Sequence, residues 1–141
     1  MHKSIKNIID LYENVNQKIS DLNYNNYKPQ IIAVSKTFSK ENILPIIDHG
    51  HAHFGENKVQ EALTKWSDLK KDNPNIKLHM IGKLQSNKVK QAVSIFDYIH
   101  SVDSVKLANK ISSEQEKQGK NLKVFIQINI GDENQKSGCK L

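Results

Sequence analysis

The strongest constraint on this chain is a repeated alternation of two apolar periods, in which short extended runs take turns with segments that are apolar at every third or fourth position. The first such segment carries Ile5, Ile8, Ile9, Tyr12, Val15, Ile19 and Leu22, the spacing of one helical face. A polar stretch over 23–29, closed by Pro29, breaks that helix, and residues 30–35 then read as a short buried strand. Residues 39–50 are helical in pattern, with Gly50 placed as the C-terminal stop. Pro45 falls in the interior of that helix if Ser39 is the cap, but in the tolerated first turn if Asn42 is, so the later start is expected.

The cycle then repeats. Residues 51–54 are expected to form a second strand and Gly55, Glu56 and Asn57 a tight loop, followed by a helix that buries Val59, Ala62, Leu63, Trp66 and Leu69. After the breaker Asn73-Pro74-Asn75, a third strand over 78–81 stops at Gly82, and a helix with Val89, Val93 and Phe96 leads to a fourth strand over 98–101. Val105, Leu107, Ala108 and Ile111 mark a helix ending near Gly119, and residues 122–130 form the strongest strand of all. Strands alternating with helices call for a parallel sheet with crossover helices, either an open doubly wound sheet or a closed (β/α)8 barrel. A complete barrel of the TIM type usually takes about 250 residues and eight strands, whereas about five are legible here. The expectation is an α/β fold of the barrel type, incomplete in this sequence. It forms one domain, with a leading helix and loop over 1–29 and successive β/α units over 30–141.

Charge and composition narrow the function. The net charge is +6, and all 21 basic residues are lysines. Phosphate and base-edge readers favour the forked guanidinium, and these lysines are scattered without interleaved aromatics, so sequence-specific nucleic-acid recognition is not expected. The N-terminal segment is amphipathic, unlike a secretory leader, and no apolar run reaches the length of a bilayer span; a cytoplasmic protein without membrane contact is expected. Cys139 is the only cysteine, which rules out an internal disulfide and fits a reducing compartment. Nothing marks a base beside it that would make it a nucleophile. His49, His51 and His53 alternate, yet no carboxylate or cysteine stands at ligand spacing, so no metal site is expected.

One residue stands out chemically. Lys36 closes the run Ile31-Ile32-Ala33-Val34-Ser35, and an amine at the carboxyl end of a parallel strand lies where α/β folds place their chemistry. A lysine set against a packed strand end loses hydration, its pKa falls, and the neutral amine condenses with an aldehyde to a Schiff base. The alternative for the same position is a strand-terminal lysine reaching solvent. Other strand ends converge on the same face of such a barrel, which brings Asn57, His79 and Ser101 into consideration. His79 at the start of its strand is more often a satisfied core histidine than a ligand contact. Glu56 reads as a solvated charge or as a helix N-terminal residue.

Four ordered segments carry a family likeness: Ala33-Val34-Ser35-Lys36-Thr37; Phe54-Gly55-Glu56-Asn57-Lys58-Val59-Gln60-Glu61; His79-Met80-Ile81-Gly82-Lys83-Leu84-Gln85-Ser86-Asn87-Lys88; and Ile126-Gln127-Ile128-Asn129-Ile130 with Lys136-Ser137-Gly138. In order and spacing they resemble the pyridoxal phosphate homeostasis protein family, from about Ile31 to the last residue. The resemblance implies the barrel of the alanine racemase N-terminal domain, with Lys36 holding pyridoxal 5'-phosphate as an internal aldimine. It also implies a carrier and buffer of the cofactor without established turnover, a monomer that hands its cargo to pyridoxal phosphate-dependent apoenzymes. Asn57 is then placed to donate to the cofactor's ring hydroxyl, or else simply closes a turn. Lys136 is a candidate second amine for passing on the aldehyde, or else a flexible surface lysine. The family's phosphate-cradling Ser/Thr and Gly loop, and its arginine facing the pyridine nitrogen, have no match before Leu141. Lys83 stands where the family usually has proline, which loosens that loop and adds a charge.

Two other functions remain beside that one. A racemase-like enzyme needs two opposed acid/base groups, one of which the resembling racemases draw from an additional β domain that this chain has no room for. A cofactor-free aldolase barrel would use Lys36 directly on a sugar ketone.

Overall fold

The computed structural model describes residues 5–22, 29–133 and 135–140. Its elements run α1 (Ile5–Asp21), β1 (Ala33–Val34), α2 (Lys40–Asp48), β2 (His53–Glu56), α3 (Val59–Asp72), β3 (Lys77–Met80), a 3-10 turn (Ser86–Lys88), α4 (Val89–Ile95), β4 (Tyr98–Val102), α5 (Val105–Gln118) and β5 (Lys123–Ile126). The strands form one five-stranded sheet in the order β1-β2-β3-β4-β5, with every neighbouring pair parallel. A doubly wound sheet reverses its strand order at a switch point, and this one does not. Strands laid down strictly in sequence, with crossovers of one hand, are the topology of a barrel wall. The expected incomplete barrel is therefore the architecture found, and the polar break over 23–28 lies outside the described residues.

Several boundaries differ from the sequence reading, each for a physical reason. Helix α2 begins at Lys40 with Ser39 as its cap, so Pro45 does lie inside it. The missing N–H is offset by the burial of Ile43 and Ile47, and Gly50 at φ +91 supplies the positive dihedral that ends the helix. Strand β2 lies two residues later than expected, at His53–Glu56, so Gly55 and Glu56 belong to the sheet and not to a loop. His51 stays outside the strand because its ring is held: Tyr12 Oη donates to Nδ1 at 2.9 Å while Nε2 donates to the His53 carbonyl at 2.7 Å. The run over 122–130 shrinks to the four residues of β5, all exposed, because β5 pairs with β4 alone. A strongly apolar sequence there marks an edge, with Phe125 50% and Ile126 69% exposed.

The two faces of the sheet have different chemistry. Phe54 and Leu78 point to the helices and share the core with Trp66, Ile99, Val89, Val93 and Ile111. Residues aligned in register on the opposite face run Val34, Gly55, His79, Tyr98 and Lys123 across all five strands. His79 stacks on Tyr98 with ring centroids 4.2 Å apart, and Lys123 Nζ lies 5.6 Å from the Tyr98 centroid. Three imidazoles are linked through this face: His53 Nδ1 is 2.9 Å from His79 Nε2, and His79 Nδ1 is 2.9 Å from His100 Nε2. His100 in turn stacks on Phe125 at 4.5 Å. Each link needs one ring to donate and the next to accept, which neutral imidazoles satisfy with one N–H apiece.

Burial holds these rings neutral. It pushes His79 down to about 4, helped by His100 and His53 and opposed by Asp97. Burial also lowers His53, where Lys77 adds to the effect and Asp97 opposes it, and burial lowers His100. The unfolded chain then binds more protons than the folded one between about pH 6.5 and pH 4, so stability falls as pH drops through that window. Urea denaturation followed from pH 7 to pH 4 is expected to show that fall, and His79→Phe, which keeps the stack on Tyr98, is expected to flatten it. In the core, Leu78→Ala should cost about 2–5 kcal/mol, whereas Val105→Ala, at a position 76% exposed, should change stability by no more than about 0.5 kcal/mol.

Candidate functional site

Lys36 lies just past the end of β1, in a turn formed by Lys36 and Thr37. Ser35 N donates to the Gly55 carbonyl at 3.0 Å, extending the ladder by one residue, and Phe38 N closes the turn on the Ser35 carbonyl at 3.2 Å. Thr37 has φ +65, a left-handed conformation that its branched side chain resists. The Lys36 side chain is exposed, and no hydrogen bond or ion pair joins it to the described residues. The shielding expected from a packed strand end is therefore not supplied by this part of the chain. The ladder stops one residue short of Lys36, and the turn carries the amine out to solvent.

What holds that turn is a buried charge that sequence reasoning placed in solvent. Glu56 is fully buried at the end of β2, and its Oε1 accepts from Ser35 Oγ at 2.8 Å, Lys65 Nζ at 2.9 Å and Trp66 Nε1 at 2.9 Å. Oε2 has no hydrogen-bond partner among the described residues. Lys65, a lysine on the inward face of α3, uses its ammonium three times: on Glu56 Oε1, on the Ser35 carbonyl at 2.8 Å and on Glu61 Oε1 at 3.1 Å. Glu61 Oε1 also accepts from Thr37 N at 2.6 Å. Burial would raise the Glu61 carboxyl, but the Thr37 N–H and the Lys65 ammonium outweigh it and hold it below its usual range. The signal for Lys65 was present in the sequence. It sits among Ala62, Trp66 and Leu69 on the apolar face of α3, where an unpaired lysine would be costly.

The other candidates fall in different places. Asn57 follows β2 directly and is half-buried; its backbone packs so closely on Gly82 that a Cβ there would lie 2.3 Å from the Asn57 carbonyl oxygen. That contact ties the end of β2 to the loop after β3. Asn57 and Lys83 line a cleft of about 410 Å³ over these strand ends, together with Lys58 and Lys88. His79 is buried within the ring row. Ser101 is buried too, with its hydroxyl unpartnered among the described residues; it alternates with His100 and so sits on the opposite side of β4 from the imidazoles. Lys136 is exposed and paired with Glu133 at 2.7 Å. His49, His51 and His53 turn to three separate partners, Glu13, Tyr12 and His79. No helix among the described residues is long and apolar enough to cross a membrane.

An apolar cavity of about 620 Å³ lies behind the turn, between α1, β1 and α2, with Ile8, Leu11, Val34 and Phe38 among its walls. Lys36 does not line it.

With this geometry in view, the likeness to known proteins is specific. The chain is 35% identical over 135 residues to the pyridoxal phosphate homeostasis protein of Pasteurella multocida, covering 96% of this chain and 58% of that one. It is 41% identical over 117 residues to the mouse protein of the same name, covering 79% of this chain and 43% of the relative. Among solved structures, PipY of Synechococcus elongatus without PLP superposes with a TM-score of 0.74 at 38% identity, over 87% of this chain and 57% of that one. PipY with PLP bound gives 0.72 at 35% identity, over 89% of this chain and 57% of that one. An alanine racemase of Clostridium difficile shares the fold at a TM-score of 0.65 and 16% identity, over 92% of this chain and 32% of that one. The chain spans about half the length of the curated relatives it matches. A family model, that of the alanine racemase N-terminal domain, matches residues 9–141, and the chain belongs to that family.

Proposed function

We propose that this chain forms part of a pyridoxal 5'-phosphate-binding homeostasis protein, in which Lys36 holds the cofactor and the protein buffers it and delivers it to apoenzymes. The observation that carries this reading is the free amine of Lys36 at the carboxyl edge of the first barrel strand, gripped through its neighbours and left unpaired itself. When bound, pyridoxal phosphate supplies an aldehyde that condenses reversibly with a neutral amine. An exposed, unpaired lysine on a fixed turn is within reach of that aldehyde. The name shared by the curated relatives and the PLP-bound PipY support the same cofactor.

The remaining residues take supporting parts. Asn57, fixed by its contact with Gly82, presents an amide at the neighbouring strand end, where it can donate to a ring oxygen. Lys136, held by Glu133 on the surface, is the second amine proposed for handing the aldehyde on. His79 and Ser101 are secondary candidates, and the burial of both favours a structural contribution. The proposed setting is a cytoplasmic monomer that meets pyridoxal phosphate-dependent apoenzymes. The relatives' shared name is that of a homeostasis protein, which favours carriage over catalysis.

Titrating the chain with pyridoxal phosphate and following visible absorbance tests the assignment. The unmodified chain is expected to develop a saturable yellow band, and Lys36→Ala is expected to lose it while keeping its unfolding midpoint. An undiminished band in Lys36→Ala would overturn the role of Lys36.

A further inference from the structure

The network beneath the Lys36 turn has a selective shape. It takes hold of the residue before Lys36 twice, through Ser35 Oγ to Glu56 and through the Ser35 carbonyl to Lys65, and of the residue after it once, through Thr37 N to Glu61. The Lys36 side chain receives nothing from it. A network that only stabilised the fold would have no reason to straddle one residue in this way, or to hold Thr37 at φ +65. That left-handed conformation is unfavourable for a residue with a Cβ. Such strain persists only where its surroundings over-determine it.

We infer that Glu56, Lys65 and Glu61 form a carboxylate–ammonium–carboxylate clamp that positions Lys36, fixing the backbone on both sides so that the amine projects in one direction. The clamp deepens the reading of Lys36 as the attachment point and rests on it. Lys65 is thereby a positioning residue and not a second attachment point: its ammonium is buried, and its three hydrogen bonds exhaust its donors. Glu56 is the anchor, since its carboxylate also ties Trp66 of α3 to the end of β2. Glu61 is the adjustable end. Its side chain is 26% exposed, so it can be altered with less disturbance to the core than Glu56 or Lys65.

The clamp acts through backbone order and not through contact with the reacting atoms, and this separates it from a purely structural pair. Losing Glu61 frees the Thr37 N–H and lets the turn sample other conformations, while Glu56 still satisfies Lys65. Misplacing a reacting group by a fraction of its reach slows reaction without unfolding the protein.

The experiment compares the full chain with Glu61→Ala and Glu61→Gln, using pyridoxal phosphate as the probe and three readouts. These are the rate of adduct formation at Lys36, trapped with borohydride and located by mass analysis; hydrogen exchange at the Thr37 amide; and the thermal midpoint. Glu61→Ala is expected to slow capture at Lys36 about tenfold and to raise Thr37 exchange by about the same factor, with the midpoint little changed. Glu61→Gln, whose side-chain oxygen still accepts the Thr37 N–H, is expected to restore most of both. Unchanged capture in Glu61→Ala, or a loss that Glu61→Gln leaves unrestored, overturns the clamp. If the unmodified chain captures no aldehyde at Lys36, the attachment reading falls and the positioning of that amine for capture falls with it. Thr37 exchange then still tells the two failures apart: sensitivity to Glu61→Ala shows an intact clamp serving another purpose, and insensitivity shows no clamp at all.

Discussion

The Glu56 carboxylate is the constraint on which the business end of this sheet depends. A carboxylate out of water is tolerated only when paired and hydrogen-bonded, and here one oxygen gathers a hydroxyl, an ammonium and an indole N–H from three different residues. Removing it would leave the Lys65 ammonium buried beside Trp66 with only Glu61 to balance it. Because β1 is only Ala33 and Val34, with one further ladder bond from Ser35 N, backbone pairing alone is a weak hold on its end. The side-chain network makes up for that short strand, and so decides where Lys36 stands.

The two faces of the sheet divide the work. Toward the helices, Phe54, Leu78 and Ile99 build the ordinary apolar core, and Glu56 is the one carboxylate admitted to it among the described residues. On the other face, a row of imidazoles and aromatic rings links β2 to β5 by hydrogen bonds and stacking. That row keeps its rings neutral through burial, so the imidazoles add no charge to this face near neutral pH. Above the strand ends, Lys58, Lys83 and Lys88 share a cleft with Asn57. These three lysines stand at the same carboxyl end of the sheet as Lys36.

Much of this was legible in the residues. The order of strands and helices follows from apolar period alone, and the helix of Leu107 and Ile111 ends at Gly119 with φ +60, as its pattern requires. The errors share a cause: a strand's extent depends on its neighbours, which a local pattern does not contain. Glu56 looked like a loop residue because a charge is rarely buried, and only the lysine and tryptophan of α3 make it otherwise. The run ending at Ile130 reads as one long strand because it is apolar, yet only Lys123–Ile126 pairs within the sheet, at its edge. The imidazole row has a sequence signal, one histidine in each of three consecutive strands, but its meaning needs the register. Lys36 was found through its place at a strand end, while its exposure is a property of the turn that follows.

The central claim is that one lysine among 21 is singled out by its setting. Borohydride reduction of the chain with substoichiometric pyridoxal phosphate, followed by peptide mapping, tests it most directly. The account predicts that the reduced adduct maps to Lys36 first, with Lys65 unmodified and exposed lysines such as Lys71 and Lys140 labelled only at excess. Label spread evenly over the surface lysines, or concentrated elsewhere than Lys36, would contradict it.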